Sequence, residues 1–105
     1  MSARLPAIKE RLASIRSKLN FDSATGYQLR LDKVLNIVVE NESKIWLRSR
    51  VGEPMLKELQ DSLEKENDIL KVGVIPTGFE IFLREIEAKA SKIDEESRRR
   101  DMVVT

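Results

Sequence analysis

The sequence predicts an all-α fold, a compact bundle of four or five helices ending in a charged helical extension. Three observations predict it. Apolar residues recur at alternating threes and fours along several stretches, the period of a helix face. The run VLNIVV (Val34–Val39) can also be read as a buried strand, but no second convincing strand accompanies it. With three Phe, one Tyr and one Trp among 105 residues, the core must rest on Leu, Ile and Val, which suit interdigitating helices. The length fits one domain, and 41% hydrophobic residues suffice for one core.

The first helix is the clearest. Leu5, Ile8, Leu12, Ile15 and Leu19 fall on one stripe, with Lys9, Glu10, Arg11, Arg16 and Lys18 on the other faces. Pro6 is tolerated in the first turn, and Asn20–Gly26 stops the helix. Ser23, Thr25 and Gly26 offer caps for a second helix, where Leu31, Val34, Leu35 and Val38 share a face that Ile37 and Val39 widen. A helix apolar on so many sides is expected to sit centrally. A short helical stretch, Ser43–Arg50, carries Ile45, Trp46 and Leu47. Gly52 and Pro54 then mark a break, with Pro54 suited to the first position of the next helix. Met55, Leu56, Leu59 and Leu63 form the stripe of that helix, and Asn67 and Asp68 close it.

The segment Ile69–Ile75 (ILKVGVI), short, apolar and broken by Gly73, reads as a buried connection or an extended piece. After Pro76, Thr77 and Glu80 have the spacing of a capping box, with Ile75 or Pro76 available to staple against Ile81. Phe79, Phe82, Leu83, Ile86, Ala90 and Ile93 carry the last helix. Beyond them DEESRRRD (Asp94–Asp101) has almost nothing to bury. The packed domain is therefore expected over residues 1–93. Residues 94–105 read as a solvated helix end, supported by Asp/Glu to Arg pairs at threes and fours, that frays at the terminus.

Composition excludes much chemistry. Without Cys or His there is no thiolate nucleophile, no Cys/His zinc site, no imidazole base and no histidine triad. Glu40 with Glu42, and Asp94 to Glu96, lack the Gly-containing oxygen-rich loop of a cation site and read as surface charge. The adjacent Ser17-Lys18, Ser43-Lys44 and Ser91-Lys92 pairs do not face one another on a helix. Gly73 and Gly78 match neither phosphate-loop spacing. The expectation is a protein that is not an enzyme and takes no metal or cofactor.

No apolar run approaches the roughly 20 residues that cross a bilayer. The charged N-terminal stretch does not resemble a secretory signal, so an intracellular protein with no membrane partner is expected. Net charge is +1, but residues 1–52 hold ten Lys/Arg against five Asp/Glu, and residues 53–105 hold nine against thirteen. A basic half of this kind suits an acidic partner. Its alternative use is a nucleic-acid surface built from Arg4, Arg11, Arg16, Lys18, Arg48 and Arg50. The two-heptad stripe of the first helix leaves a third reading, a homodimer or other homo-oligomeric subunit joined through helices.

Trp46 stands between Ile45 and Leu47 and is flanked by Lys44, Arg48 and Arg50. Three successive large apolar residues point three ways, so core packing competes with a role for one of them as an exposed anchor. The candidate partner-binding set is Trp46, Leu47, Arg48, Arg50, Val51 and Met55. The succession RLASIRSKLNFD (Arg11–Asp22), LDKVLNIV (Leu31–Val38), LRSRVGEPMLKEL (Leu47–Leu59) and a last helix from Phe79 resembles the N-terminal domain of transcription elongation factor TFIIS and the integrase-binding domain of the chromatin factor LEDGF. Leu47, Arg50, Val51 and Gly52 match part of the family's L-x-x-T-x-I-G pattern, and Phe82 stands where many members close with Trp. The resemblance implies a nuclear helical scaffold that captures short motifs of transcription or chromatin partners between its helices, with no catalytic residues. Either way, the expected function is a protein-interaction module binding a peptide or helix of a larger assembly.

Overall fold

A computed structural model describes residues 4–65 and 75–103. Among these the chain forms four α-helices: α1 (Arg4–Lys18), α2 (Thr25–Asn41), α3 (Gly52–Glu64) and α4 (Phe79–Val103). Single 3₁₀ turns, Asp22–Ala24 and Ile45–Arg48, precede α2 and α3. No strand occurs among the described residues, so VLNIVV is helical. The expected connection Ile69–Ile75 lies outside the described residues except for Ile75, which packs against the core. The expected stop at Asn67 and Asp68 also lies outside them.

Leu5, Ile8, Leu12, Ile15 and Leu19 are all at most 5% exposed, so the α1 stripe is consumed inside the chain. A dimer seam along that stripe is thereby occupied. Just past the helix end, the Leu19 carbonyl accepts from Gln28 Nε2 at 2.6 Å. Carbonyls at a helix end lack intrahelical donors, so this bond satisfies one of them. In α2 only one face is deeply buried, through Leu31, Val34 and Val38, while Leu29 and Val39 are exposed. The expectation of a central helix is corrected: Leu35 and Ile37 lie half-buried on its flanks, and every helix occupies a corner. Ser23, Thr25 and Gly26 do not cap α2. It follows directly from the 3₁₀ turn, and Thr25 Oγ1 donates back to the Asp22 carbonyl at 2.9 Å.

Helix α3 begins at Gly52, which places Pro54 in the third helical position and not the first. Its missing N–H still falls among the donors that have no intrahelical partner, so the helix tolerates it. In α4 the first intrahelical bond runs from the Phe82 N–H to the Gly78 carbonyl at 3.1 Å, and Gly78 has φ +84°. Glycine adopts that left-handed conformation without a Cβ penalty. The capping box does not form as expected, because Glu80 directs its carboxylate to Arg30 and Arg84. Ile81 is 73% exposed, so it is not the stapled residue.

Each helix packs on two others: α1 on α2 and α3, α4 on α2 and α3. The ring order is therefore α1–α2–α4–α3, and the α2–α3 connection crosses a diagonal. Polar contacts along the seams fix the directions. Lys9 meets Glu42 and Arg16 meets Asp32, which makes α1 and α2 antiparallel. Arg4 reaches Glu53 and Gln60 while Arg11 reaches the Leu63 carbonyl, so α1 and α3 run parallel. Lys65 with Glu85 and Lys89 with Glu58 set α4 antiparallel to α3. Hence α2 and α4 are parallel, bridged by Arg30 to Glu80 and Glu87. At the end where both start, Tyr27 meets Phe79 edge-on with ring centroids 5.2 Å apart.

Candidate functional site

The other end of the bundle gathers the start of α1, the end of α2, the start of α3 and the end of α4 around the Ile45–Arg48 turn, the cap. Crossing a diagonal brings the cap over the core, and Leu47 is fully buried as its plug. Gly52 permits this approach: a Cβ there would fall on the backbone O, Cα and C of Leu47. Ser49 ties the turn together. Its Oγ donates to the Trp46 carbonyl and accepts from the Val51 N–H at 3.3 Å, and its own carbonyl accepts from the Glu53 N–H at 2.9 Å.

A 3₁₀ turn rotates successive side chains by about a third of a circle, so neighbours along it diverge. Ile45 is accordingly 86% exposed, Trp46 half-buried and Leu47 buried. Arg48, Arg50 and Val51 are exposed, and Met55 is half-buried against the core. The cap thus brings Trp46, Leu47, Arg48, Arg50, Val51 and Met55 to one end of the bundle. Leu47 and Met55 support it from beneath. Arg48 donates one N–H to the Glu42 carbonyl at 2.8 Å, and Arg50 has no carboxylate partner among the described residues.

Trp46 is roofed by α4. The Arg100 guanidinium lies 5.2 Å from the indole centroid, a cation–π contact worth about 0.5–2 kcal/mol. Arg100 Nε donates to Glu96 Oε2 at 2.8 Å, and Arg99 Nη2 donates to both Glu96 oxygens at 2.6 and 2.8 Å. These bonds, those from Arg99 foremost, hold the Glu96 carboxyl below the usual glutamate range against the opposing effect of desolvation. Trp46 Nε1 is buried with no acceptor among the described residues. An unmet donor of this kind costs about 1–3 kcal/mol, the same order as the stack.

Helix α4 runs on without a break past Ile93, the expected end of the packed domain, into the charged stretch expected to form a helical extension. Ser97, one turn later, is 4% exposed, and the charged stretch continues helical through Val103. Ile45, Ser49, Glu96 and Arg100 were outside the partner-binding set expected from the sequence, and Gly52 was read there as a helix break and as part of a family pattern. Ile45 carried a signal, since it is one of three consecutive large apolar residues. The Arg100–Trp46 pair is separated by 54 positions and had none.

Six cations of the basic half do not form a face. Arg4 and Arg11 lie on the α1–α3 seam, Arg16 pairs with Asp32 across the α1–α2 seam, and Lys18 sits at the opposite end from Arg48 and Arg50. Arg4 and Arg30 pair with carboxylates of the C-terminal half, and Lys9 and Arg16 with carboxylates of their own half. An open groove of about 570 Å³ runs along the α1–α3 seam beside Ala7, Arg11, Ser14, Gln60 and Glu64, and a recess of about 390 Å³ lies by Met55, Lys92 and Arg99. Among the described residues no group of three acidic side chains is placed to hold a metal, and no helix is long and apolar enough to cross a membrane. Fold and cap together define a four-helix bundle with one end where an exposed Ile45 and Val51 stand among exposed arginines. No protein-family profile, curated protein or solved structure matches the chain.

Proposed function

We propose that this chain is a non-catalytic protein-interaction module whose cap takes an acidic partner segment bearing an apolar anchor. One observation carries the reading. Ile45, a large aliphatic side chain, is 86% exposed on a turn whose Leu47 is locked in the core, and Arg48, Arg50 and Val51, which follow it within six positions, are exposed as well. An apolar side chain on a turn anchored by a buried neighbour offers area to cover, and exposed cations near it select acidic sequences and speed encounter. The partner segment is a peptide or helix of a larger assembly. The TFIIS and LEDGF resemblance suggests a transcription or chromatin assembly in the nucleus; without it the setting is cytoplasmic.

The test is a fluorescence-anisotropy panel of acidic–aliphatic peptides, with charge-reversed and scrambled controls and a DNA duplex, against wild type, Ile45→Asp and Arg50→Glu. Preferential binding of acidic–aliphatic peptides that either substitution weakens at unchanged thermal stability supports the reading. Equal binding by wild type and Ile45→Asp sinks it. Tighter binding of the duplex, with a steep loss on adding salt, replaces it with the nucleic-acid reading.

A further inference from the structure

Building on that reading, we propose that the last turns of α4 act as a latch on the cap: Arg100 closes over Trp46, and an acidic occupant draws it away, opening the indole to the partner. The closed arrangement stacks the guanidinium 5.2 Å from the ring centroid while leaving the indole N–H buried and unpaired. An occupant that lifts Arg100 uncovers the face of the indole it stacks on, and brings carbonyl or carboxylate oxygens to a ring whose N–H has no partner in the closed arrangement.

The anchoring of Arg100 makes release easy. Its described ion pair is to Glu96, on its own helix, and Arg99 binds both oxygens of the same carboxylate. When Arg100 swings out, Glu96 keeps a charged partner, and Arg100 gains a carboxylate on the occupant. The Arg100 side chain is 38% exposed even when closed, so the new partner can reach it before the stack breaks. Arg48 and Arg50 on the same cap attract the same acidic segment, so occupancy and opening favour each other.

Trp46 is the only tryptophan in the chain, so its fluorescence reports the latch directly. Acrylamide quenching and emission maximum are measured for the full chain as wild type, Arg100→Gln and Arg99→Gln, with circular dichroism melts confirming the fold. The expected result is several-fold stronger quenching and a red-shifted maximum in Arg100→Gln, with Arg99→Gln close to wild type. An acidic–aliphatic peptide should shift the wild-type emission toward that of Arg100→Gln, and should change the emission of Arg100→Gln, whose indole is already open, far less.

Wild-type quenching in a folded Arg100→Gln overturns the latch and leaves the interaction reading standing, as does a peptide that binds without changing Trp46 emission. Failure of every peptide to bind wild type overturns the interaction reading, and with it the coupling of opening to occupancy.

Discussion

Gly52 and Leu47 show how one missing methyl decides the architecture of the cap. A Cβ at position 52 would overlap the Leu47 backbone, which cannot turn aside as a side-chain tip can. Gly52→Ala is therefore expected to destabilise by about 1–3 kcal/mol despite its better helix propensity, read from the urea midpoint. Leu47→Ala empties a fully buried site and should cost about 2–5 kcal/mol. Ile45→Asp, one turn position from Trp46, should change stability by no more than about 0.5 kcal/mol, because the side chain is nearly all in solvent. Only part of this contrast was legible in the sequence. That Ile45, Trp46 and Leu47 diverge follows from helical rotation; which of them faces out depends on where the diagonal connection lands, and that is set by contacts with α3 and α4.

At the level of elements, the buried stripe of α1 and the inward faces of α3 and α4 match the apolar positions read from periodicity, because each helix buries one face and three-four spacing marks that face. α2 was less legible: Val39 and Leu29 are apolar yet exposed, and periodicity cannot say which side of a broad stripe the neighbours will cover. Helix directions were not legible at all, since they rest on pairs such as Arg30 with Glu80 and Glu87, separated by 50 and 57 positions. Arg30 makes charge-assisted bonds to both carboxylates from a side chain only 28% exposed. Arg30→Met should therefore cost about 1–2 kcal/mol. The exposed Arg16–Asp32 pair is worth less, and Arg16→Ala should cost no more than about 0.5 kcal/mol. Matched urea titrations of the two variants check the order; equal losses would mean that the α2–α4 seam is held by its apolar contacts alone.

For the whole molecule, three paired carboxylates, two on helix seams and one within α4, make stability depend on pH in the acid range. Glu80 is held below the usual glutamate value of about 4.5 chiefly by its hydrogen bond from Arg30, Glu85 chiefly by Lys65, and Glu96 chiefly by Arg99. In the unfolded chain these groups return to the ordinary value, so over the window below about pH 4.5 the unfolded state binds more protons than the folded one. The stability they contribute is fully present above that pH and is lost as pH falls through their lower folded values. Nothing replaces it on the alkaline side of neutrality, because the chain has no His or Cys whose side chain would titrate between the glutamates and the lysines. The urea midpoint should therefore be flat from about pH 5.5 to 8 and fall steadily below about pH 4.5. In about 1 M salt the acid limb should become shallower, since screening at a Debye length of about 3 Å weakens exposed pairs while leaving the Leu/Ile core untouched. A midpoint that already declines between pH 8 and 6 would show that the acid sensitivity lies outside these three carboxylates. A salt-independent acid limb would show that their hydrogen bonds, and not the net charge around them, carry it.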